Sequence, residues 1–242
     1  MRRLVIAVAL LPLCFLLGCL PARINTSNPD LPHHAYLDGG GSRVGVILCH
    51  GRGQHPTAHV VNPLRLAIHG QLGYHTLSLQ MPAPQAPWAL YREFFADAYK
   101  RIWAAIRVLR QEKGVKTIYL LGHSMGSRMA SGFLARFPEA GVAGFIGVGV
   151  RNNGRPPLDS VRNLQLALQR NPRLMVLDVY GDGGDGRDAQ HAQKRAKLVG
   201  DRYRQILIPG ADHRFIRGEE EMVAVVVRWL GEQKNDNSLT SE

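Results

Sequence analysis

The pentapeptide Gly122-His123-Ser124-Met125-Gly126 fits the pattern G-x-S-x-G, in which a serine stands on a sharp turn between a strand and a helix. A serine hydroxyl is a weak nucleophile unless a neighbouring base accepts its proton, and such a turn exposes the hydroxyl to a base. The pattern alone is weak, because a chain with 26 glycines will sometimes contain it by chance. The flanking elements therefore decide its meaning.

Those elements have the order that a nucleophilic serine requires. The segment "TIYLL" at 117–121 has the character of a buried strand, and "MGSRMASGFLARF" at 125–137 has that of a helix. Glycines two positions before and after the serine leave space where Cβ atoms would clash. This context predicts Ser124 as the nucleophile. It also places the backbone N–H of Met125 at a helix N-terminus, where it can stabilise developing negative charge.

A nucleophilic serine needs a base, and in one known chain order of such triads, Ser…Asp/Glu…His, the histidine follows the serine. Only His191 and His213 follow Ser124. His191 falls within a predicted helix, where a solvent-facing position is common. His213 lies in "ILIPGADHRFIRG", directly after the last predicted strand, at the edge of a parallel sheet where ligands bind. The sequence therefore predicts His213 as the general base.

The acid that orients the base is expected in the glycine-rich loop "GDGGDGRD" at 181–188, which follows the predicted strand "LMVLDVY". Asp185 is the first candidate, because it lies far enough beyond the strand to curl back towards His213. Asp182 is the alternative acid, although it is close to the strand end. Asp188 is expected to cap or open the next helix. Two further aspartates, Asp178 inside the strand and Asp212 beside His213, are predicted to have structural roles.

A second motif lies in the loop after the predicted strand Val44–Cys49, which has the sequence His50-Gly51-Arg52-Gly53. Its glycines allow a tight turn beside a substrate carbonyl, so the N–H of Arg52 is predicted to join that of Met125 in an oxyanion hole. The histidines of this region, His50, His55 and His59, have no acidic or cysteine partner at a familiar ligand spacing. We therefore predict neither a metal site nor a cofactor.

Strand-like and helix-like segments alternate through the chain, which predicts an α/β fold with a doubly wound, mostly parallel sheet of six to seven strands. Several strand-like segments are almost continuously apolar, as buried parallel strands are. The predicted strands are Val44–Cys49, Tyr74–Leu79, Thr117–Leu121, Val142–Val150, Leu174–Tyr180 and Tyr203–Ile208, with one more short strand around Ala35–Leu37. The predicted helices are Val61–Leu72, Glu93–Gln111, Met125–Arg136, 163–169, Ala189–Leu198 and Glu219–Leu230.

Three separated motifs, H-G-R-G at 50–53, G-H-S-M-G at 122–126 and the Asp-His pair at 212–213, make residues 43–231 resemble the α/β-hydrolase superfamily. The segments "HGRGQHP", "TLSLQMPAP" and "YRQILIPGADHRF" also resemble a poorly characterised group of exported bacterial α/β-hydrolase-like proteins. The resemblance implies Ser–Asp–His roles and names no substrate. The glycine-rich acid loop departs from the shorter Gly-x-x-Asp pattern of the superfamily, so the choice of acid stays open.

A lid over the site would have to be formed by residues 151–173. This segment has room for one short helix and a loop, so the sequence predicts a minimal lid or none. A serine hydrolase for carboxylic esters of small molecules or lipids is the first hypothesis. An acyltransferase, thioesterase or amidase with the same triad is the second. A non-catalytic envelope binding protein on the same scaffold is the third.

The N-terminus predicts export. Arg2-Arg3 precede an apolar stretch, 4–17, that would span about 21 Å as a helix and is too short for a hydrocarbon core of about 30 Å. This is the pattern of a secretory signal. Leu16-Leu17-Gly18-Cys19 resembles the lipobox of bacterial lipoproteins, which implies lipidation of Cys19 and a membrane anchor. We predict a signal peptide at 1–18, a tether at 19–42, the hydrolase domain at 43–231 and a flexible tail at 232–242.

Composition supports a folded, exported protein. The chain has 45% hydrophobic and 20% charged residues, as globular proteins do. Its formal net charge is +11, and loss of the two signal arginines leaves +9. The basic residues are scattered, without long runs or interleaved aromatic residues, so nucleic-acid binding is not predicted. With three cysteines and Cys14 inside the signal, a disulfide framework is not expected.

Overall fold

The computed structural model describes residue 31 and residues 33–82, 87–152 and 154–239. The predicted signal peptide, the predicted lipidation site Cys19 and residues 19–30 of the predicted tether lie outside these described residues. None of the described helices is both long enough and apolar enough to cross a membrane.

Seven strands form one open sheet, which confirms the predicted fold class. The strands are β1 (Ala35–Leu37), β2 (Val44–Cys49), β3 (His75–Leu79), β4 (Thr117–His123), β5 (Gly144–Val148), β6 (Met175–Gly181) and β7 (Tyr203–Ile208). Their order across the sheet is β1-β3-β2-β4-β5-β6-β7. All neighbours from β3 to β7 pair in parallel, and β1 pairs antiparallel with β3.

The α-helices of the described residues agree with the predicted alternation, with shifts at their ends. They are α1 (Val61–Leu72), α2 (Phe95–Arg107), α3 (Met125–Arg136), α4 (Ser160–Arg170), α5 (Arg187–Arg195) and α6 (Glu219–Leu239). The predicted helix Glu93–Gln111 consists of three parts: a 3₁₀ segment at Trp88–Phe94, then α2, then a π turn at Val108–Glu112. Apolar spacing marks a buried helical face, but it does not resolve these hydrogen-bond patterns.

The C-terminal helix is longer than the sequence suggested. The flexible tail was expected from residue 232, whereas α6 continues to Leu239. Residues 235–237, Asn-Asp-Asn, are poor helix formers, which is why the tail composition favoured a loop. A helix that has already nucleated gains one hydrogen bond for each residue it adds, so weak formers can continue it.

Two apolar layers hold the helices against opposite faces of the sheet. Along β2 the side chains alternate, with Val46 and Leu48 in one layer and Ile47 and Cys49 in the other. The first layer holds residues of α1 and α6, and the second holds residues of α2, α3 and α4. All four of these β2 side chains are fully buried, so the central strand fixes the position of the loop that follows it.

Parallel pairing brings the loops that follow β2, β4, β5, β6 and β7 to the same edge of the sheet. This edge therefore collects the H-G-R-G loop, Ser124, the glycine-rich loop and His213. Between β5 and β6, α4 is the one helix of the described residues, and its buried residues belong to the same core layer as those of α3. A helix held in this layer is not a lid over the site, as the shortness of 151–173 predicted.

Candidate active site

Ser124 occupies a strained turn between β4 and α3. Its φ of 52° and ψ of −112° lie in a region that non-glycine residues rarely adopt, and its N–H donates to the carbonyl of Val148 at 3.1 Å. The flanking glycines are required by contact. A Cβ on Gly126 would lie 2.1 Å from the carbonyl oxygen of Cys49, and one on Gly122 would lie 2.5 Å from the Cα of Ser127. The turn can therefore form only with glycine at both positions.

A continuous hydrogen-bonded chain joins Ser124, His213 and Asp188. His213 Nε2 lies 2.9 Å from Ser124 Oγ, and His213 Nδ1 lies 2.8 Å from Asp188 Oδ2 and 2.9 Å from Oδ1. Because a carboxylate only accepts, Nδ1 carries the proton and donates to Asp188. Nε2 is then the free lone pair, and the Ser124 hydroxyl donates to it. This is the tautomer that a general base needs.

The Asp188 carboxylate is held as an anion. Burial by itself raises its pKa, but the hydrogen bond and charge of His213, followed by those of Arg151, outweigh burial and hold the pKa below its ordinary value. Arg151 Nε donates to Asp188 Oδ1 at 2.6 Å. The Asp188 side chain is only 4% exposed, whereas that of His213 is 26% exposed. The acid is thus sealed behind a base that reaches the cleft.

Neither aspartate predicted as the acid contacts His213. Asp185, the first candidate, accepts from Arg151 Nη2 at 2.8 Å and Nη1 at 3.1 Å, and is 43% exposed. Asp182, the alternative, accepts the N–H of Gly210 at 2.6 Å. The expectation that Asp185 or Asp182 partners His213 is therefore corrected, because Asp188 occupies that position.

The conformation of the glycine-rich loop explains the difference. Gly184 and Gly186 have φ of 66° and 65°, so the chain turns twice and α5 begins at Arg187. Asp188 then lies in the first turn of α5, as a helix-opening residue, with its carboxylate directed at His213. Anionic side chains are also favoured near a helix N-terminus. The sequence predicts Asp188 only as a residue that caps or opens the helix, whereas in the structure the same residue also contacts His213.

The predicted oxyanion residues lie around Ser124. Met125 is the first residue of α3, and its N–H is among the helix donors that have no acceptor within the helix. In the H-G-R-G loop, a Cβ on Gly51 would lie 3.4 Å from Ser124 Cβ and 3.0 Å from His123 Nδ1. Arg52 follows Gly51 and lines the same cleft as Ser124. The loop after β2 therefore lies beside Ser124.

His123, directly before the serine, supports the loop that carries the base. Its Nε2 donates to the carbonyl of His213 at 2.9 Å, since a carbonyl only accepts. The ring is 6% exposed, and burial followed by the charge of His213 lowers its pKa to about 4. His123 is therefore neutral at pH 7 and ties β4 to the loop after β7.

The histidines of the H-G-R-G region have structural partners. Burial lowers the pKa of His50 to about 4, and its Nε2 accepts the N–H of Met81 at 2.9 Å. His55 lies 3.2 Å from the hydroxyl of Thr57, and His59 lies 3.2 Å from the carboxylate of Glu219. Within the ranges that the structure describes, no three His, Cys, Asp or Glu side chains are placed to hold a metal ion.

Three residues that the sequence did not single out shape the site. A Cβ on Gly149, whose φ is 58°, would lie 3.1 Å from both Asp188 Oδ2 and His213 Nδ1. Arg151 contacts Asp188, and the buried Arg128 donates from Nε to the Arg151 carbonyl at 2.8 Å. A glycine and an arginine directly after a parallel strand are the available sequence signal. Nothing in the pattern of α3 marks Arg128.

The fold of this chain is similar to the folds of several solved structures. The chain superimposes on Est1E from Butyrivibrio proteoclasticus with a TM-score of 0.63 at 15% identity, covering 84% of this chain and 94% of Est1E. An alpha-beta serine hydrolase homologue from Coxiella burnetii gives 0.62 at 18% identity, covering 81% and 91%. XC6422 from Xanthomonas campestris, described as an a/b serine hydrolase without lid, gives 0.62 at 17%, covering 83% and 92%.

The chain has the α/β-hydrolase fold. In the α/β-hydrolase fold the loops at the carboxyl edge carry the chemistry, and the serine, histidine and aspartate described above lie on three of those loops or at their ends. No protein-family model and no curated protein matches the sequence. The fold is therefore shown by structure, while activity has to be argued from the site.

Proposed function

We propose that this protein is a serine hydrolase that cleaves carboxylic esters through an acyl-enzyme, with Ser124 as nucleophile, His213 as base and Asp188 as acid. The observation that carries the proposal is the continuous hydrogen-bonded chain from Ser124 Oγ through the His213 ring to the buried carboxylate of Asp188. The structural neighbours named as serine hydrolases support the same class of reaction.

The reaction begins when Ser124 Oγ attacks the ester carbonyl while its proton moves to His213 Nε2. The carbonyl oxygen becomes an oxyanion, which accepts hydrogen bonds from the N–H groups of Met125 and Arg52. The bond to the alcohol then breaks, and the imidazolium gives its proton to the leaving oxygen. Water, deprotonated by His213, attacks the acyl-enzyme in the same manner and releases the acid and free Ser124.

Asp188 stabilises the imidazolium at both proton-transfer steps. Its lowered pKa keeps it ionised at pH 7, and its low exposure keeps water from screening the charge. It holds the proton on Nδ1, so that Nε2 is always the nitrogen presented to Ser124. Asp188 accepts no proton in this scheme.

The cleft sets the size of the substrate. It encloses about 500 Å³ and is lined by Gly51, Ser124, His213 and several arginines. This volume lies within the usual range for small-molecule sites. We therefore assign small or medium acyl esters.

Covalent labelling and turnover together test the proposal. Wild-type protein is expected to react with a fluorophosphonate probe and to hydrolyse short-chain 4-nitrophenyl esters. Ser124→Ala should abolish labelling, and Ser124→Ala or His213→Ala should lower kcat by at least about 1,000-fold. Ser42→Ala is the control, because Ser42 lies before β2 at the opposite edge of the sheet and contacts Val44.

Two results would overturn this assignment. Hydrolysis at the wild-type rate by Ser124→Ala would exclude the triad. A folded wild-type protein that neither reacts with the probe nor turns over esters, thioesters or amides would favour a binding protein. Preferential transfer of the acyl group to an added alcohol over water would instead identify an acyltransferase with the same residues.

We also propose that the protein is exported and anchored by lipid on Cys19, with the hydrolase domain facing the periplasm. The support is sequence alone: Arg2-Arg3, the short apolar stretch and Leu16-Leu17-Gly18-Cys19. Because Leu20 rather than aspartate follows the cysteine, an outer-membrane location is expected in a Gram-negative host. Intact mass of membrane-extracted protein should show an acylated N-terminal cysteine, and Cys19→Ala should abolish it. A mature chain that starts elsewhere would refute the lipid anchor.

A further inference from the structure

The cleft around Ser124 is lined by five arginines: Arg52, Arg128, Arg151, Arg187 and Arg214. Among the residues that the structure describes, no aspartate or glutamate lines it. A neutral ester needs no such surroundings, because its carbonyl is polarised by two backbone N–H groups. The concentration of guanidinium groups therefore requires a separate explanation.

The aspartates of the surrounding loops lie behind the arginines and not in the lining of the cleft. Asp185 pairs with Arg151 and lies 3.4 Å from Arg187, and Asp188 is shared between Arg151 and His213. The other two acids of these loops face backbone groups: Asp182 accepts from Gly210 N and Asp212 from Ile216 N. The charged side chains that line the cleft beside the serine are therefore cationic among the described residues.

Arg128 is a buried part of this lining. Its side chain is 3% exposed, in the first turn of α3, and burial followed by the charge of Arg151 lowers its pKa to about 10. An anion in the cleft would be attracted by both guanidinium groups and would reduce the repulsion between them. His191 also lines the cleft. Its pKa is lowered to about 4 by burial, then by Lys194 and Arg195, and then by the cleft residues Arg128 and Arg151.

We propose that the substrate ester carries a second, anionic group, a carboxylate or a phosphate, bound by the arginines that line the cleft. This inference rests on the proposed ester hydrolysis and adds the charge of the substrate. Guanidinium groups bind both anions with paired N–H donors, so either fits this chemistry. Arg187 and Arg214 are exposed at the rim and admit the group, while Arg128 and Arg151 lie deeper.

The test compares two esters of similar acyl length, mono-4-nitrophenyl glutarate and 4-nitrophenyl butyrate. Wild-type kcat/KM is expected to be at least about tenfold higher for the glutarate, equivalent to about 1.4 kcal/mol. In Arg187→Ala/Arg214→Ala this ratio should fall towards one, and 0.5 M NaCl should lower it in wild type. Equal rates in wild type, or a ratio unaffected by the double variant, would overturn the proposal.

The matched control is Arg43→Ala/Arg173→Ala. It removes the same formal charge from two exposed arginines that precede β2 and β6, at the sheet edge away from the cleft. Its ratio should equal that of wild type. An equal fall in both double variants would show that net charge alone is responsible and would refute a site at the cleft.

Measurements of ester binding test the anion site independently of the proposed hydrolysis. Calorimetry with Ser124→Ala should detect the glutarate ester more tightly than the butyrate ester, even if wild-type protein turns over neither. No difference in affinity refutes the anion site whatever the activity. A further pair distinguishes the source of the anion: soluble dibutyryl glycerol phosphate, and vesicles containing dioleoyl phosphatidic acid. Preference for the first indicates a small anionic ester, and for the second a lipid headgroup.

Discussion

Two aspartates of this protein, Asp188 and Asp178, each bind an arginine, yet their surroundings differ. Asp188 joins Arg151 to His213, whose ring is 26% exposed and reaches Ser124. Asp178 binds Arg195 through both carboxylate oxygens, at 2.9 and 3.0 Å, with exposures of 1% and 0%. Asp178 also accepts from the hydroxyl of Tyr203 and the amide of Gln205, and the Asp178–Arg195 pair is sealed from solvent.

The comparison shows how one cluster positions the other. Arg195 lies at the end of α5, and besides Asp178 it donates to the carbonyl of Val150 at 2.7 Å. It thereby fixes α5 against β6 and against the chain that leaves β5. Asp188 opens the same helix, so the sealed pair sets the rotation that directs Asp188 towards His213. A buried ion pair is weak evidence for stability, and in this protein its contacts tie α5 to β6 and to Val150.

The largest expected effect comes from removing the negative charge of Asp188, which contacts His213 and Arg151. Asp188→Asn should lower kcat/KM by about 1,000- to 10,000-fold, because the amide no longer stabilises the imidazolium or fixes its tautomer. Asp185→Asn is the matched control, with an expected change below about threefold, since Asp185 does not contact His213. Steady-state kinetics on a neutral ester measure both. If Asp185→Asn caused the larger loss, the acid assigned here would be wrong.

Breaking the buried Asp178–Arg195 ion pair is expected to lower the free energy of unfolding. Asp178→Asn leaves Arg195 buried without its counter-charge and is expected to destabilise the fold by about 3–5 kcal/mol. For a domain of this size that corresponds to a fall in Tm of roughly 10 °C. Asp97→Asn is the control, because Asp97 forms the same ion pair with Arg101 at 48% exposure and should cost about 0.5 kcal/mol. A similar Tm for both variants would contradict the contrast between sealed and exposed pairs.

A methyl group placed beside the Asp188–His213 hydrogen bond is expected to lower activity without acting on the Asp178 cluster. Gly149→Ala places a methyl 3.1 Å from both hydrogen-bonding atoms and is expected to lower kcat/KM by about 10- to 100-fold. Gly114→Ala is its control. Gly114 has a similar φ of 67°, and no atom lies within 4 Å of the new Cβ. Both variants should lose stability through backbone strain, and only Gly149→Ala should lose activity. An equal loss of activity in both would mean that strain alone is responsible.

The smallest expected effect is a change in stability at low pH that arises from the titration of His123. Its folded pKa of about 4 lies below the ordinary value of about 6.5, so the unfolded chain binds the proton more readily. The stability it contributes is full above pH 6.5 and is lost as pH falls towards 4, by about 1–3 kcal/mol. His123→Gln keeps a donor for the His213 carbonyl without titrating. The difference in Tm between pH 7 and pH 5 should therefore be smaller in this variant, and a larger difference would contradict the assignment.

Much of this structure could be predicted because the signals are local. The bounds of β2, β7, α1 and α3 agree with the predicted segments, since each contains its own apolar pattern and turn residues. The turn at Ser124 could also be predicted from the sequence, because its strand, its glycines and its helix are contiguous in the chain. His213 followed from its place after the last strand. These features depend on the residues within a few positions of each element.

The acid and the charge of the cleft were decided by tertiary structure. Four glycines in "GDGGDG" leave the loop after β6 free to take many paths, and its own sequence selects none of them. Contacts from other elements select one: Gly183 N donates to the Ala211 carbonyl, and Arg195 anchors α5 on Asp178. The five cleft arginines are dispersed in the same way, on five different loops or helices between positions 52 and 214. Sequence alone singled out Ser124 and His213 as the proposed nucleophile and base, whereas only the pairing of distant strands determined which carboxylate contacts His213.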